Sequence, residues 1–259
     1  MKTLFAAALA LCLPSAAALA QDVLILGEVH DNPAHHEVQA KMVAAFAPRA
    51  LVFEMLTPAQ AEAVTPGNRN DRAALAEALD WEGSGWPDFA LYHPIFTAAP
   101  EARIFGAQVP REAARKVFED GPGVVFSGDG AAYGLTDPLP EQEQAAREAL
   151  QMEAHCDALP EAMLPGMVAV QRLRDAELAH GVMRAIEATG GPVAVITGNG
   201  HARRDWGVPS YLARVAPGLE IRVIGQTEDG RALDGGFDEV LSAPMVERED
   251  PCAAFAKGD

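Results

Sequence analysis

The fold is decided by the stretch Val23-Leu24-Ile25-Leu26-Gly27-Glu28-Val29-His30. A short apolar run that ends at a glycine is typical of a strand buried on both faces of a parallel sheet. Similar runs recur at 50–53, 102–105, 124–126, 193–196 and 221–224, with helical stretches between them. Strands that alternate with helices are joined by right-handed crossovers. The sequence therefore predicts an α/β fold with a mostly parallel central sheet flanked by helices.

Helices are predicted at 33–46, 71–79 and 111–118, where good helix formers recur at helical spacing. The block from 140 to 189 indicates two helices, 141–155 and 166–188, because Pro160 and Pro165 prevent a single continuous one. We interpret the region of about 139–189 as a helical insertion or cap over the sheet edge. The length of 21–259 suits a single domain, and the tail from Ala243 is expected to have little regular structure.

The first 20 residues have the order of a secretory signal peptide. Lys2 precedes the apolar run 4–13, and small residues end at Ala20. Cleavage there would release a free periplasmic protein that begins at Gln21. Cys12 offers the alternative of a lipoprotein anchor, which we disfavour because the residue before an acylated cysteine is normally small and here it is Leu11. No later run approaches the roughly 20 apolar residues of a membrane span.

The chain is strongly acidic, with a formal net charge of −17. Such a charge repels nucleic acid and anionic lipid, so neither is an expected partner. An anionic ligand would have to be bound by local arginines rather than attracted by the overall field.

Two cysteines remain after removal of the signal, Cys156 and Cys252. In an oxidising compartment they are expected to form a disulfide that ties the C-terminal tail to the body. Two free thiols are the alternative, because the sequence alone cannot place their Cα atoms within bridging distance.

Two Gly-x-x-His turns indicate a functional site. Each turn follows an apolar strand, and the turns end at His30 and His201. The carboxyl ends of parallel strands share one sheet edge, where open α/β folds bind ligands. Glu54 ends a third strand and Arg111 follows a fourth. We therefore predict one cleft that combines His30 and His201 with Glu28, Glu54 and the Arg111 guanidinium. A capping or surface histidine would explain one such motif but not the repeated pattern.

His35 and His36 lie near the N-terminus of the helix that starts at Pro33. The helix dipole there disfavours imidazolium and keeps the ring in the form that ligates metal or iron. Adjacent residues point in different directions on a helix, so at most one of the two is expected to face the site. A solvated histidine is the alternative for each.

Four segments carry a resemblance to a known family: LGEVHDNPAHH at 26–36, WPDFALYHPI at 86–95, QRLRDAELA at 171–179 and GNGHARRDWGVP at 198–209. They resemble the ChaN-like haem-binding family, which is grouped with the Tiki and TraB proteins and resembles the erythromycin esterases. The resemblance implies an exported haem-binding protein for iron uptake. It also implies a homodimer around stacked haems and a tyrosine as iron ligand.

A haem site needs an axial donor for the iron and an apolar slot for the macrocycle. Within the resemblance we favour Tyr92 as the ligand, with His93 beside it, because both follow the glycine-containing loop 81–86. Tyr133, in the glycine-rich loop 127–134, is the competing candidate. A tyrosine that simply packs against its neighbours is the alternative for either.

The haem propionates need cations, and Arg111, Arg203 and Arg204 are the predicted partners because guanidinium binds carboxylate in bidentate fashion. Surface ion pairs are the alternative role for Arg203 and Arg204. The methionines of the 141–189 block either line an apolar slot or fill gaps in the core.

A second hypothesis is a hydrolase. In it, His30, Glu54 and His201 hold a divalent metal, or these residues and Glu28 activate water directly. The sequence contains no G-x-S-x-G and no H-E-x-x-H, which removes the commonest serine-hydrolase and zinc-protease signatures. A pure interaction protein would leave the converging charged residues without a role.

Overall fold

A computed structural model describes residues 21–254 and contains one sheet of six parallel strands. The strands are β1 (Val23–Glu28), β2 (Ala50–Phe53), β3 (Arg103–Gly106), β4 (Val193–Gly198), β5 (Ile221–Glu228) and β6 (Glu239–Ala243). Their order in the sheet is β3-β2-β4-β1-β5-β6, and every neighbouring pair is parallel. The predicted α/β fold with a parallel central sheet is confirmed.

Ten α-helices accompany the sheet within the described residues. They are α1 (Pro33–Phe46), α2 (Pro58–Glu62), α3 (Arg72–Ala78), α4 (Phe89–Ala98), α5 (Arg111–Asp120), α6 (Pro122–Val125), α7 (Glu141–Ala154), α8 (Leu164–Thr189), α9 (Asn199–Ala202) and α10 (Val208–Val215). Short 3₁₀ turns are formed by Glu161–Met163 and Pro251–Ala254.

The central strand β1 shows why its sequence is continuously apolar. Val23 and Ile25 belong to the core on one face of the sheet, whereas Leu24 and Leu26 belong to the core on the other. All four side chains are buried. Helices α8 and α10 contribute to the first core, and α1 and α4 contribute to the second. Both faces are thus covered, as parallel sheets require.

Helix α8 differs from the predicted insertion or cap over 139–189. Its residues Leu178, Ala179 and Val182 are fully buried in the core, and the helix packs against β2, β3 and β4. It therefore forms a layer of the fold and connects α7 to β4. Helix α7 packs against α8.

One local prediction was wrong, and one strand was missed. Residues 124–126 do not form a strand, because Gly121 has a positive φ of 79° and Pro122 then begins α6. The predicted loop 81–86 is present, and α4 begins after it, with its first turn capped by the Asp88 carboxylate. Strand β6 was missed because it lies at the sheet edge with mostly exposed side chains and lacks an apolar run.

The predicted disulfide between Cys156 and Cys252 is present, with the Cα atoms 5.5 Å apart. It ties the residues after β6 to the end of α7. Across 21–254, no helix has the length and apolar character needed to cross a membrane. The predicted signal peptide, its cleavage site and the alternative anchor at Cys12 lie outside the described residues.

Candidate functional site

The two Gly-x-x-His turns leave neighbouring strands. β1 and β4 pair so that Glu28 lies opposite Gly198. A cavity of about 410 Å³ opens at this carboxyl edge and is lined in part by His30, Glu54 and His201. Arg111 lines the same cavity, together with Trp86, Val109, Arg174 and Leu178. The structure thus brings together the side chains that the sequence singled out, except Glu28.

Glu28 lies beneath the cavity as a buried anchor. Its Oε1 accepts a hydrogen bond from the Tyr92 hydroxyl at 2.9 Å and another from His30 Nδ1 at 2.8 Å. Its Oε2 accepts from Gln39 Nε2 at 2.7 Å. A buried carboxylate with these donors is fully engaged, so Glu28 orients His30 rather than meeting a ligand.

His30 lies at the cavity wall, with its second ring nitrogen close to Gly198. A Cβ on Gly198 would lie only 2.9 Å from His30 Nε2, so glycine is required there for the ring to fit. Trp86 meets the imidazole edge-on, with the ring centroids 5.0 Å apart. Burial lowers the pKa of His30, but the hydrogen bond to Glu28 and the charge of Glu54 outweigh it and raise the pKa to about 8.

His201 is held between two carboxylates. Its Nδ1 donates to Asp175 Oδ1 at 2.7 Å, and its Nε2 lies 3.6 Å from Glu54 Oε1. The other oxygen of Glu54 accepts from Thr197 Oγ1 at 2.7 Å and from the Gly198 amide at 2.8 Å. Burial lowers the pKa of His201, yet the facing carboxylates raise it above its usual value. Burial would raise the pKa of Glu54, but His201 and His30 hold it below its usual value.

Asp175 was missed by sequence reasoning, although it lies in the matched segment 171–179 of α8. Burial raises the pKa of this carboxyl in spite of the neighbouring His201. The hydrogen bond between Asp175 and His201 joins α8 to α9. The available signal was an acidic residue on an otherwise apolar helix face.

His35 and His36 are both buried and neither lines the cavity. His35 Nδ1 accepts from the Val29 amide at 2.9 Å, and His36 Nε2 donates to the His30 carbonyl at 2.8 Å. Both imidazoles therefore hold the first Gly-x-x-His turn in shape and are not solvated.

The predicted tyrosine ligands are buried. Tyr92 is 0% exposed and Tyr133 is 7% exposed, and burial raises the pKa of both, that of Tyr133 to about 12. Because the Tyr92 hydroxyl donates to Glu28, ligation of iron by Tyr92 does not fit this arrangement. His93 lies beside it in α4 with Nε2 3.0 Å from the Arg69 carbonyl, and is likewise engaged.

The three arginines predicted to bind propionates differ in their surroundings. Arg111 lines the cavity. Arg203 instead forms a bidentate pair with Asp205 and stacks on Trp206, with its guanidinium 3.6 Å from the ring centroid. Arg204 pairs with Asp238. Arg203 and Arg204 are thus engaged by other groups.

The predicted divalent-metal site is not supported. Within residues 21–254, no group of three or more His, Cys, Asp or Glu side chains is arranged to hold a metal ion. The predicted ligands His30, Glu54 and His201 line one cavity, but they do not form such a group.

A parallel α/β sheet with a polar cavity at the carboxyl ends of its strands is the arrangement of a ligand-binding protein. The chain belongs to the family described as haem-binding uptake, Tiki superfamily, ChaN, whose model matches residues 15–212. The resemblance stated from the sequence is thereby confirmed. No individually curated protein matched the sequence.

Solved structures with a similar fold include ChaN of Campylobacter jejuni, described as showing cofacial haem binding. It is 18% identical, with a TM-score of 0.63 over 82% of this chain and 84% of that one. The type III effector HopBA1 is 12% identical, with a TM-score of 0.48 over 86% of this chain and 88% of its own. At 18% identity, the similarity to ChaN of Campylobacter jejuni shows that the two proteins share a fold.

The raised pKa of His30 predicts a pH dependence of stability. The folded state favours protonated His30, whose pKa is about 8 against an ordinary value of 6.5. Its contribution to the free energy of unfolding is therefore fully present below about pH 6.5 and is lost as the pH rises through about 8. The difference in unfolding free energy between wild type and His30→Gln, measured in urea, should shrink from pH 6 to pH 9. A difference that stays constant or grows would contradict the assigned shift.

Proposed function

We propose that this chain is an exported haem-binding protein that serves haem or iron uptake. The observation that carries the proposal is the family match over residues 15–212. The shared fold with ChaN of Campylobacter jejuni supports it. When bound, haem supplies an iron with axial positions that protein side chains can occupy.

The residues at the sheet edge fit such a ligand. Two cavities, of about 410 and 470 Å³, adjoin at Ala107, Gln108 and Val109, and both volumes lie within the range of cofactor pockets, about 300 to 1,000 Å³. Arg111 lines the first cavity and Arg184 the second. Guanidinium groups at these positions would bind propionates in an otherwise acidic protein.

The axial donor is better supplied by an imidazole than by Tyr92, whose hydroxyl is buried against Glu28. His30 and His180 each direct a ring nitrogen away from its own hydrogen bond, one at each cavity. Tyr133, the competing tyrosine, lies 6.0 Å from His180 between ring centroids. It stays in the proposal as an alternative donor at the second cavity.

The proposal also includes export to the periplasm and formation of a homodimer. The signal-like residues 1–20 and the disulfide suit a free periplasmic protein. A homodimer around stacked haems is supported by an exposed apolar side chain next to the second cavity, that of Val124, which is 76% exposed.

The proposal is tested by producing the full chain in bacteria supplied with haem and isolating the periplasmic fraction. We expect an intact mass that begins at Gln21 and bound haem that is detected as the pyridine haemochrome. Protein that keeps residues 1–20 in the cytoplasm would refute export. Exported protein without haem, even after incubation with haemin, would refute haem binding.

A second candidate function is hydrolysis in which the side chains at this cavity activate water directly. The observation that favours it is His201, which lies between Glu54 and Asp175 at the cavity wall. A proton could pass between Glu54, His201 and a substrate in the cavity of about 410 Å³. Hydrolysis of a panel of small esters by purified protein, abolished in His201→Ala, would support this function. Rates equal to the uncatalysed background would remove it.

A further inference from the structure

A second polar cluster lies outside the Gly-x-x-His turns. Ser127, Glu177 and His180 line the cavity of about 470 Å³. Glu177 Oε1 accepts from the Ser127 amide at 2.8 Å, and Glu177 Oε2 lies 2.7 Å from the Ser127 hydroxyl. His180 Nδ1 lies 3.0 Å from the same hydroxyl. None of these residues was singled out from the sequence.

The direction of these hydrogen bonds follows from the available protons. A hydroxyl has one proton, and an ionised carboxylate can only accept. The Ser127 proton therefore goes to Glu177, and the contact with His180 must be donated by Nδ1–H. Serine is not activated as a nucleophile in this arrangement. Instead, the chain from His180 through Ser127 to Glu177 fixes the imidazole tautomer and leaves the lone pair on Nε2.

A carboxylate that orients an imidazole through its other nitrogen is the arrangement that supports iron- and metal-ligating histidines. Within the described residues, Nε2 of His180 makes no hydrogen bond, and it is not among the fully buried atoms without a partner. Phe126 packs edge-on against the ring, with centroids 5.5 Å apart. The ring is thus held in place while one donor atom stays available.

The walls of this cavity suit the face of a macrocycle. Val109, Val125 and Leu173 line it, with Pro58, Pro110 and Ala113 around them. Next to it, on α6, Val124 exposes 76% of its surface. An apolar slot that continues into an exposed apolar residue is expected where a large flat ligand is only partly enclosed.

Arg184 supplies an uncommitted cation at the same cavity. Its Nη2 donates to the Gly106 carbonyl at 3.0 Å, and its Nε is buried and has no hydrogen-bond partner among residues 21–254. Within the described residues, no carboxylate lies within 4.0 Å of this guanidinium. A buried, unsatisfied donor is costly, and a propionate would satisfy it.

His30 is the competing imidazole, and its surroundings suit haem less well. Its Nε2 faces Gly198 at close range, and Glu54 is near. A buried carboxylate beside the iron position would repel the propionates of a bound haem unless they lie far from it. At the cavity that contains His180, Glu177 is hydrogen-bonded to Ser127, and Arg184 forms no ion pair with any residue of 21–254.

We propose that Nε2 of His180 is the axial ligand of haem iron in the 470 Å³ cavity, with Ser127 and Glu177 as positioning residues and Arg184 as propionate partner. This inference rests on the proposed function of haem binding. It assigns the ligand to a histidine, whereas the resemblance implies a tyrosine.

The test is a haemin titration of the purified chain without its first 20 residues, followed by absorbance and by electron paramagnetic resonance of the ferric complex. Wild type should show a saturable Soret shift with the signature of histidine ligation. His180→Ala should weaken binding about 100-fold and lose that signature, and added imidazole should restore it. Ser127→Ala should weaken binding about tenfold, the lower end of the range for groups that orient a ligand.

His155→Ala is the matched control, because His155 also donates through Nδ1, to the Gln151 carbonyl at 2.8 Å, and does not line the cavity. It should bind haemin as wild type does. Failure of wild type to bind would refute the proposed function itself. Wild-type binding that is unchanged in His180→Ala, or lost instead in Tyr133→Phe, would overturn the assignment of His180. If His180→Ala does not fold, His180→Met should bind with a changed spectrum, and an unchanged spectrum would likewise overturn it.

Discussion

Glu28→Ala is expected to lower the free energy of unfolding by about 3 to 5 kcal/mol. Glu28 is only 2% exposed, and its carboxylate accepts hydrogen bonds from Tyr92, Gln39 and His30. Tyr92 and Gln39 are themselves fully buried, so removal of the acceptor leaves the Tyr92 hydroxyl with only the His30 carbonyl at 3.3 Å and Gln39 Nε2 with only the Leu26 carbonyl at 3.2 Å. The loss is measured by urea unfolding at pH 7.

Glu37→Ala is the matched control for this change. Glu37 lies on the exposed face of α1, where its carboxylate is 3.7 Å from Lys41 Nζ. A solvated pair of this kind contributes little, so the change should stay within about 0.5 kcal/mol. Tyr92→Phe, which removes one donor and keeps the acceptor, should cost about 1 kcal/mol. Equal losses for Glu28→Ala and Glu37→Ala would show that Glu28 does not anchor the site.

Removal of the disulfide is expected to cost about 2 to 5 kcal/mol of unfolding free energy. Cys156 and Cys252 are 96 residues apart, so the bond closes a long loop in the unfolded chain. A long closed loop loses more conformational entropy than a short one, which raises the free energy of the unfolded state. The double variant Cys156→Ser, Cys252→Ser should therefore unfold at a lower urea concentration than wild type.

Reductant provides the control for the double variant. Wild type treated with dithiothreitol should approach the stability of the double variant, whereas the double variant itself should not respond. A double variant as stable as oxidised wild type would show that the bond contributes nothing to folding.

The sheet could be predicted because its central strands are buried on both faces. A strand such as β1 needs apolar side chains in succession, and such runs are visible in a single sequence. β6 could not be predicted in this way, because an edge strand with exposed side chains gains its stability from pairing with β5. The prediction of a strand at 124–126 was wrong because only Phe126 is buried in the core, whereas Val124 and Val125 belong to a short helix and face solvent and a cavity.

The position of Tyr92 could have been predicted. Phe89, Tyr92 and Phe96 recur at helical spacing, and all three are buried on the inner face of α4. That spacing indicates a helix that turns the phenol inward, after the glycine-containing loop 81–86 has ended. Tyr92 was instead favoured as the iron ligand because the resembled family has a tyrosine ligand.

The convergence of the two Gly-x-x-His turns was expected from the rule for parallel sheets, and the structure places His30 and His201 at one cavity. The partners of these rings could not be expected. Asp175 reaches His201 from α8, and Ser127 reaches His180 across 53 residues of chain. Such pairs depend on how helices pack against the sheet, and no local pattern encodes that packing.

The central claim, that this chain binds haem, is tested most directly by an absorbance titration of the mature wild-type protein with haemin at neutral pH. We predict a shifted Soret band that saturates at a fixed molar ratio of haem to protein. An absorbance that rises without saturation would contradict the account.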